Sequence, residues 1–516
     1  MADLEVKLPR GRVGVAVVRR EVGDGTALFA VDPEDPARER QLTPDGLHVA
    51  HYAVQPDGAA VWWFRAESGT ETGCWVRQRL DQPPGAETPV ESMPEGRATG
   101  GFHTTGRATV AGIAVRGDTH VYRIDSTLQA SPIGTYFGDM SMVNALSADG
   151  RYMSVVYVTE DDVFRKHLHV RDIMTGHVVH QVAAVRGAHS RRAEFSPVAG
   201  DRRLLYQDRA PEGWLGLSVV DIASGETVRV ADPALSHADL TGTWLPAGLD
   251  DDGEEIRPHK LLVTAHRHGR TAVYLHDLEE RSTRQVPLPD GLGVESGQVP
   301  GTPAPTTNLC ALGDDRVLLA VSGPRHRRGF VTLDTRTGTV GTGAPWQRPT
   351  KVSGAVERRY GLAPAGGDDA GSPRVPYSVS EPKGPRPQAG WPTAFLVHDG
   401  FTHDTDVFRA DEHQLTADGL AVVRVNYTGS TGQGLDWFEA GRQNPVKGPL
   451  ADIASVQDHL ADQGVIDPDH CGIMGDSWGG TLALSAGIHQ PDRWRSVVAK
   501  APVVDLDGLV RDESVG

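Results

Sequence analysis

Between about residue 25 and residue 345 the chain reads as short runs in which apolar and polar residues alternate, each closed by a glycine-containing turn. That period of two, carried by β-branched residues, is the pattern of strands with one buried face. Two signatures recur. In the first, a turn precedes an apolar strand: Pro56-Asp57-Gly58 before Ala59 to Phe64, and Ala148-Asp149-Gly150 before Arg151 to Val158. Asp57 and Asp149 lie 92 residues apart, twice 46. In the second, an alternating strand is closed by aspartate and a Thr/Ser-Gly turn: Leu168-His169-Val170-Arg171-Asp172 to Thr175-Gly176, and Leu217-Ser218-Val219-Val220-Asp221 to Ser224-Gly225. Looser copies run from Val273 to Asp277 and from Val331-Thr332-Leu333-Asp334 to Thr337-Gly338, the successive aspartates standing 49, 56 and 57 residues apart. A repeat of roughly 40 to 50 residues holding four strands is a propeller blade, and a two-sheet sandwich has no such period. Residues 1–365 therefore predict an all-β propeller of six or seven blades.

The period changes in the last third. Residues 366–390 are rich in Gly, Pro and charge, the composition of a domain boundary. Beyond them Thr393-Ala394-Phe395-Leu396-Val397 and Ala421-Val422-Val423-Arg424-Val425 are continuous apolar strands, separated by a helical stretch near Phe408 to Asp418. Leu450, Ile453, Val456 and Leu460 recur at helical spacing, and Cys471-Gly472-Ile473-Met474 is the next strand. Strands alternating with helices predict a parallel sheet covered on both faces, with its site at the carboxyl ends of the strands.

At the end of the third strand stands Gly475-Asp476-Ser477-Trp478-Gly479-Gly480, followed by a small-residue helix from Thr481 to Ile488. G-x-S-x-G between a strand and a helix is the setting of a nucleophile elbow. Residues without side chains let strand and helix close in around a serine held in a strained turn. The bare motif is weak evidence; the setting supplies its force. Ser477 is thus the candidate nucleophile, and residues 391–516 predict the N-terminal part of an α/β-hydrolase domain. A serine hydroxyl is a poor nucleophile at neutral pH and needs a histidine to take its proton and a carboxylate to orient that histidine. The elbow geometry makes the backbone N–H of Trp478 one donor to the oxyanion.

These motifs, in this order, resemble the S9 serine peptidases of the prolyl oligopeptidase and acylaminoacyl-peptidase type, over essentially the whole chain. His398-Asp399-Gly400 is similar to the family's His-Gly-Gly after its first long strand, and Val425-Asn426-Tyr427-Thr428-Gly429-Ser430-Thr431-Gly432 to its Val-Asn-Tyr-Arg-Gly-Ser-Thr-Gly. Asp467-Pro468 and Gly475 to Gly480 match its run into the elbow, and Val61-Trp62-Trp63-Phe64 through Cys74-Trp75 resembles an early propeller blade of bacterial members. Two departures stand in loops around the site: Asp399 replaces a glycine and Thr428 an arginine. The resemblance implies proteolysis of short peptides, admitted past the propeller, through Ser477. It implies a second oxyanion donor at the backbone of Gly400, with His398 shaping that loop rather than serving as base. His398, Tyr427 and Trp478 are candidates to line the pocket for the residue before the scissile bond, although packing accounts for Tyr427 and Trp478 equally well.

In α/β hydrolases the chain order is serine, acid, histidine, and 39 residues follow Ser477. His489, at the far end of the elbow helix, lies more than about 12 Å from the serine at 1.5 Å rise per residue, so it is not the base. Asp505 and Asp507 directly follow the strand Ser496 to Ala501 and come too early for the acid. The expectation is a C-terminally truncated S9 chain, inactive or impaired by itself, whose incomplete sheet leaves an edge open to self-association. Two further readings remain: a non-catalytic binding or scaffold protein working through its propeller, and an esterase or acyl transferase using the same serine. Glu254-Glu255 and Glu279-Glu280, offered as grips for a substrate amino group, read as exposed loop charges.

Composition narrows the rest. At 516 residues the chain is too long for one core. A net charge of −17 opposes binding to phosphate backbones, so no nucleic-acid partner is expected; Arg325-His326-Arg327-Arg328 reads as a solvated turn. No apolar run is long enough to span a bilayer. Met1 to Arg20 mixes Asp3, Glu5, Lys7, Arg10 and Arg12 with single apolar residues and lacks the pattern of a secretory signal, so a cytoplasmic protein is expected. Cys74, Cys310 and Cys471 are isolated, without a C-x-x-C pair, and predict neither a disulfide framework nor a zinc site. No cofactor or metal is expected.

Overall fold

The aspartate that closes each repeat caps its own turn. In the computed structural model Asp172 Oδ1 accepts the N–H groups of Met174 and Thr175 at 2.9 and 3.1 Å, while Gly176 takes φ +72°. The turn returns at Asp221 with Ala223 and Ser224 (2.9 and 3.2 Å) and at Asp334 with Arg336 and Thr337 (3.0 and 2.7 Å). At Asp277 the carboxylate accepts from Glu279 and Glu280, 3.0 Å each, but Arg281 stands at φ +51° where the other copies have glycine. The repeated signature is therefore an Asx turn, and it joins the third and fourth strands of each sheet.

The structure describes residues 3–7, 15–23, 25–32, 35, 38–49, 51–66, 71–186, 191–245, 256–289, 291–294, 309–311, 315–341, 348–365, 374–400 and 402–505. Within them, four sheets are four-stranded antiparallel meanders: Asp3–Lys7 to Glu39–Gln41, Met142–Leu146 to Val178–Arg186, Ala193–Phe195 to Thr227–Val230, and Asp239–Trp244 to Ser282–Val286. A fifth, from Gly293–Val294 to Thr350–Lys351, carries six strands. Arg325 sits at its central hairpin and pairs with Glu357 at 2.9 Å.

Neighbouring sheets bury their faces against each other, as where Leu168 and Val170 meet Phe195 and Leu204. The first sheet's Val18 and Phe29 pack on Leu318 and Phe330 of the fifth, closing the ring of a propeller. The blade count departs from the expected six or seven. Five sheets stand as separate blades, and the strands between Tyr52–Val54 and Ala130–Tyr136 form one nine-stranded sheet. Gly96–Arg97 causes the fusion by pairing with Thr72–Arg79 on one side and Thr109–Val115 on the other. Tertiary pairing decides this, and a sequence period cannot register it.

The last sheet comprises β1 (Arg358–Pro364), β2 (Arg374–Ser380), β3 (Trp391–Val397), β4 (Ala421–Val425), β5 (Ile466–Asp476) and β6 (Ser496–Lys500), in the order β1-β2-β4-β3-β5-β6. The pairs among β4, β3, β5 and β6 are parallel, while β1 and β2 add antiparallel strands. The sheet thus begins before residue 391, where the expectation started the domain. β1 comes from the stretch assigned to the propeller and β2 from the expected boundary, of which residues 366–373 lie outside the described residues. Gly- and Pro-rich surroundings hide these two strands from a composition argument.

The helices are α1 (Ala410–Ala417), α2 (Leu435–Gln443), α3 (Lys447–Asp462) and α4 (Trp478–His489). Period-two alternation sorts the faces: Phe395 and Val397 share a core with Ile453, Val456 and Leu460 of α3 and Leu482 and Ala486 of α4. Ala394 and Leu396 turn to the other face, against Leu415 of α1.

Candidate active site

β5 ends at Asp476 and α4 begins at Trp478, leaving Ser477 between them at φ 51°, ψ −121°. Positive φ in a non-glycine residue is strained. The turn survives because its neighbours hold it. Ser477 N–H donates to Lys500 O of β6 at 2.9 Å. A Cβ on Gly475 would stand 2.4 Å from the Gly479 carbonyl, and one on Gly479 2.3 Å from Val397 O, so strand and helix meet only through glycine. Ser477→Gly is expected to stabilise the fold by about 1 kcal/mol or more by removing this strain, whereas Ser477→Ala is not. Urea unfolding of the two variants checks it, and equal midpoints would show the turn to be unstrained.

The backbone N–H groups of Trp478 and Gly400 converge on one oxygen. They donate to Asp399 Oδ1 at 3.1 and 2.7 Å. The two predicted oxyanion donors therefore point at a single spot beside Ser477, and a carboxylate of the chain itself stands there. The departure from glycine at Asp399 was visible in the sequence, but its effect depends on where the side chain turns.

His398 is half-buried behind the loop. Its Nδ1–H donates to Asp399 O at 2.7 Å and its Nε2 accepts from Ser430 Oγ at 2.8 Å. Burial lowers its pKa, which agrees with this neutral tautomer. Tyr427 stacks on the ring, centroids 4.3 Å apart, and donates its hydroxyl to His398 O at 3.0 Å. Both side chains brace the loop from below. Trp478 is half-buried and packs on the hydrolase core. Thr428, the second departure, gives its N–H and Oγ–H to Asp452 Oδ2 at 2.7 and 2.5 Å.

A buried ionic network, not singled out from the sequence, fixes the loop that follows His398. Arg358 binds both Glu412 carboxylate oxygens at 3.1 and 2.6 Å and the carbonyls of Thr405 and Val407 at 2.6 and 3.1 Å. Arg424 binds Glu412 at 3.0 Å and Asp404 at 2.7 Å. Burial raises the pKa of the Asp404 carboxyl, but the guanidinium of Arg424 and its cationic neighbours outweigh it and hold the group at about 2. The same loop reaches the propeller, where Asp406 accepts from Thr271 Oγ1 at 2.9 Å and His403 meets the His266 ring edge-on at 5.5 Å. Gly434 N–H donates at 3.3 Å to propeller Asp239, whose carboxyl burial pushes up to about 6. The carboxyl ends of β3 and β4 thus face the propeller.

Among the described residues none hydrogen-bonds to Ser477 Oγ. His489 is exposed at the last position of α4, Asp505 is exposed after β6, and Asp507 lies outside the described residues. Glu279 and Glu280 are exposed, and Glu254-Glu255 lie outside the described residues. Cys74 and Cys471 are free thiols, and burial pushes Cys471 up to about 11; the Cys310 side chain lies outside the described residues. No helix among the described residues is long and apolar enough to cross a membrane.

Residues 407–515 match the model of the prolyl oligopeptidase family. The chain is 31% identical over 119 residues to dipeptidyl aminopeptidase BIII of Pseudoxanthomonas mexicana, covering 23% of this chain and 17% of that protein. It is 29% identical over 92 residues to the human acylamino-acid-releasing enzyme, covering 18% and 13%. The matched stretches thus span less than a fifth of either relative. Among solved structures, a puromycin-hydrolysing peptidase of Mycobacterium tuberculosis superposes with TM-score 0.74 at 16% identity, over 99% of this chain and 79% of that one. A prolyl endopeptidase superposes with TM-score 0.73 at 16% identity, over 99% and 73%. These last two likenesses are of fold. Residues 407–515 are thus similar in sequence to the prolyl oligopeptidase family, and the chain shares its fold, a propeller ahead of a hydrolase sheet, with these two solved peptidases.

Proposed function

We propose that the chain is a serine peptidase that cleaves short peptides through Ser477, with Trp478 and Gly400 as backbone oxyanion donors. The observation that carries this reading is the elbow: Ser477 at φ 51° beside two N–H groups that converge on one oxygen. Ser477 Oγ would attack the scissile carbonyl carbon as its proton passes to a base. The carbonyl electron pair moves onto oxygen, the C–N bond breaks with the amine leaving protonated, and water then frees the acyl group. The propeller against the carboxyl ends of β3 and β4 supports a limit to short substrates, and a cytoplasmic setting belongs to the same reading. Incubation with fluorogenic peptides and p-nitrophenyl esters, each beside Ser477→Ala, tests it. Ser477-dependent peptide cleavage is expected. Turnover confined to esters would favour an esterase, and peptide capture unaffected by the substitution would favour a binding protein.

The outer edge of β6 supports self-association. Among the described residues this strand pairs only with β5, and it leaves Val498 52% exposed, with Ile488 of α4 at 73%. A second copy pairing along this edge would take up its unpaired backbone groups. Val498→Lys is expected to shift a concentration-dependent dimer toward monomer in sedimentation velocity. An unchanged distribution would place any association elsewhere.

A further inference from the structure

We propose that Asp399 is an internal occupant of the oxyanion hole and that a substrate reacts at Ser477 only by displacing it; this rests on the reading of Ser477 as nucleophile. An oxyanion hole works because N–H donors point at the place where negative charge develops. Here that place already holds a negatively charged oxygen, Asp399 Oδ1, at 3.1 Å from Trp478 N and 2.7 Å from Gly400 N. Charge-assisted hydrogen bonds are roughly twice as strong as neutral ones, so a neutral scissile carbonyl competes poorly for these donors. The position of the first turn of α4 adds to the preference, since a helix N-terminus attracts anions.

The backbone of Asp399 is held in place, while among the described residues its carboxylate accepts only from Gly400 and Trp478. Asp399 O accepts from His398 Nδ1 at 2.7 Å and from Thr402 Oγ1 at 2.8 Å, with the Tyr427 hydroxyl at 3.5 Å. The His398 and Thr402 donors fix the peptide, so the carboxylate falls on the Trp478 and Gly400 N–H groups by side-chain rotation alone. Asp399 is half-buried, so the same rotation can carry the carboxylate out to water. The arrangement is a displaceable autoinhibitory contact, in which Asp399 sets the resting reactivity of the serine.

The test compares the full chain with Asp399→Gly and Asp399→Asn, each also carrying Ser477→Ala as a control. The first readout is the rate of fluorophosphonate labelling, since the phosphoryl oxygen of the probe must enter the hole. Asp399→Gly is expected to label at least about tenfold faster than the parent chain, in keeping with the weight of oxyanion donors. Asp399→Asn should gain less, because its amide oxygen keeps the place without the charge. Equal rates for the parent and Asp399→Gly would overturn the proposal. The second readout needs no reactivity: the Trp478 amide in [15N]tryptophan-labelled protein, picked out of the ten tryptophans by Trp478→Phe. It should exchange with solvent about tenfold faster in Asp399→Gly, and an amide indifferent to both substitutions would overturn the proposal. If no chain labels, the peptidase reading fails while the amide still decides whether Asp399 fills the hole.

Discussion

Ser477→Ala is expected to abolish fluorophosphonate labelling completely, in the parent chain and in the Asp399→Gly background alike. Removing the nucleophile of a comparable hydrolase lowers turnover about 2 × 10⁶-fold, or about 8 to 9 kcal/mol of barrier. The parent chain itself should turn over slowly, because Asp399 occupies the two N–H groups proposed as oxyanion donors and no described residue hydrogen-bonds to Ser477 Oγ. A turnover near about 1 per second would mean that a base reaches Ser477 and that the carboxylate leaves readily. Labelling that survives in Ser477→Ala would place the reactive nucleophile elsewhere and end the assignment of the elbow.

Arg424→Met is expected to destabilise the hydrolase sheet by about 3 to 5 kcal/mol, the cost of leaving buried carboxylates without their cation. Arg424 is 3% exposed in its side chain and faces Glu412 and Asp404, themselves nearly enclosed. Arg358 cannot compensate, since it binds Glu412 but not Asp404. Urea unfolding followed by tryptophan fluorescence measures the loss, and a change below about 1 kcal/mol would show that the network contributes little. Acid probes the same groups. The folded pKa of Asp404, about 2, lies below the ordinary value near 3.9, so its contribution is present above that value and is lost as pH falls from about 4 to about 2. Glu412 and Asp411 are also lowered and act in the same direction. His403, whose folded pKa desolvation lowers from the ordinary 6.5 to about 4, loses its contribution earlier, as pH falls from about 6.5 to about 4. Asp239 opposes this, since its carboxyl at about 6 takes up a proton in the folded state first. Below about pH 4 the three carboxylates that face Arg424, Asp404, Asp411 and Glu412, work in one direction, and Arg424→Met should flatten that part of the acid transition.

Local chemistry was legible wherever a few adjacent residues decide it. The Asx turns at Asp172, Asp221 and Asp334 follow from an aspartate, a glycine four residues later and alternation before them. The elbow is equally local, since Gly475 and Gly479 are read directly as the price of a close strand–helix crossing. The apolar runs that became β3, β4 and β5 needed only their length and flanks.

What escaped the sequence depends on partners far along the chain. Strand β2 lies in a stretch rich in proline and glycine, yet it is buried because β1 and β4 pair with it on either side. Gly96–Arg97 fuses two blades by meeting strands on both flanks. Arg358, Asp404, Glu412 and Arg424 read as ordinary charges until the fold removes them from water, after which each requires the others. The sequence alone therefore determined the propeller repeat, the hydrolase sheet and the serine at its elbow, because strand period, turn chemistry and steric need for glycine act within a few residues. Tertiary structure alone decided that Asp399 turns onto the Trp478 N–H, because that donor lies 79 residues away in sequence and only folding brings the two loops together.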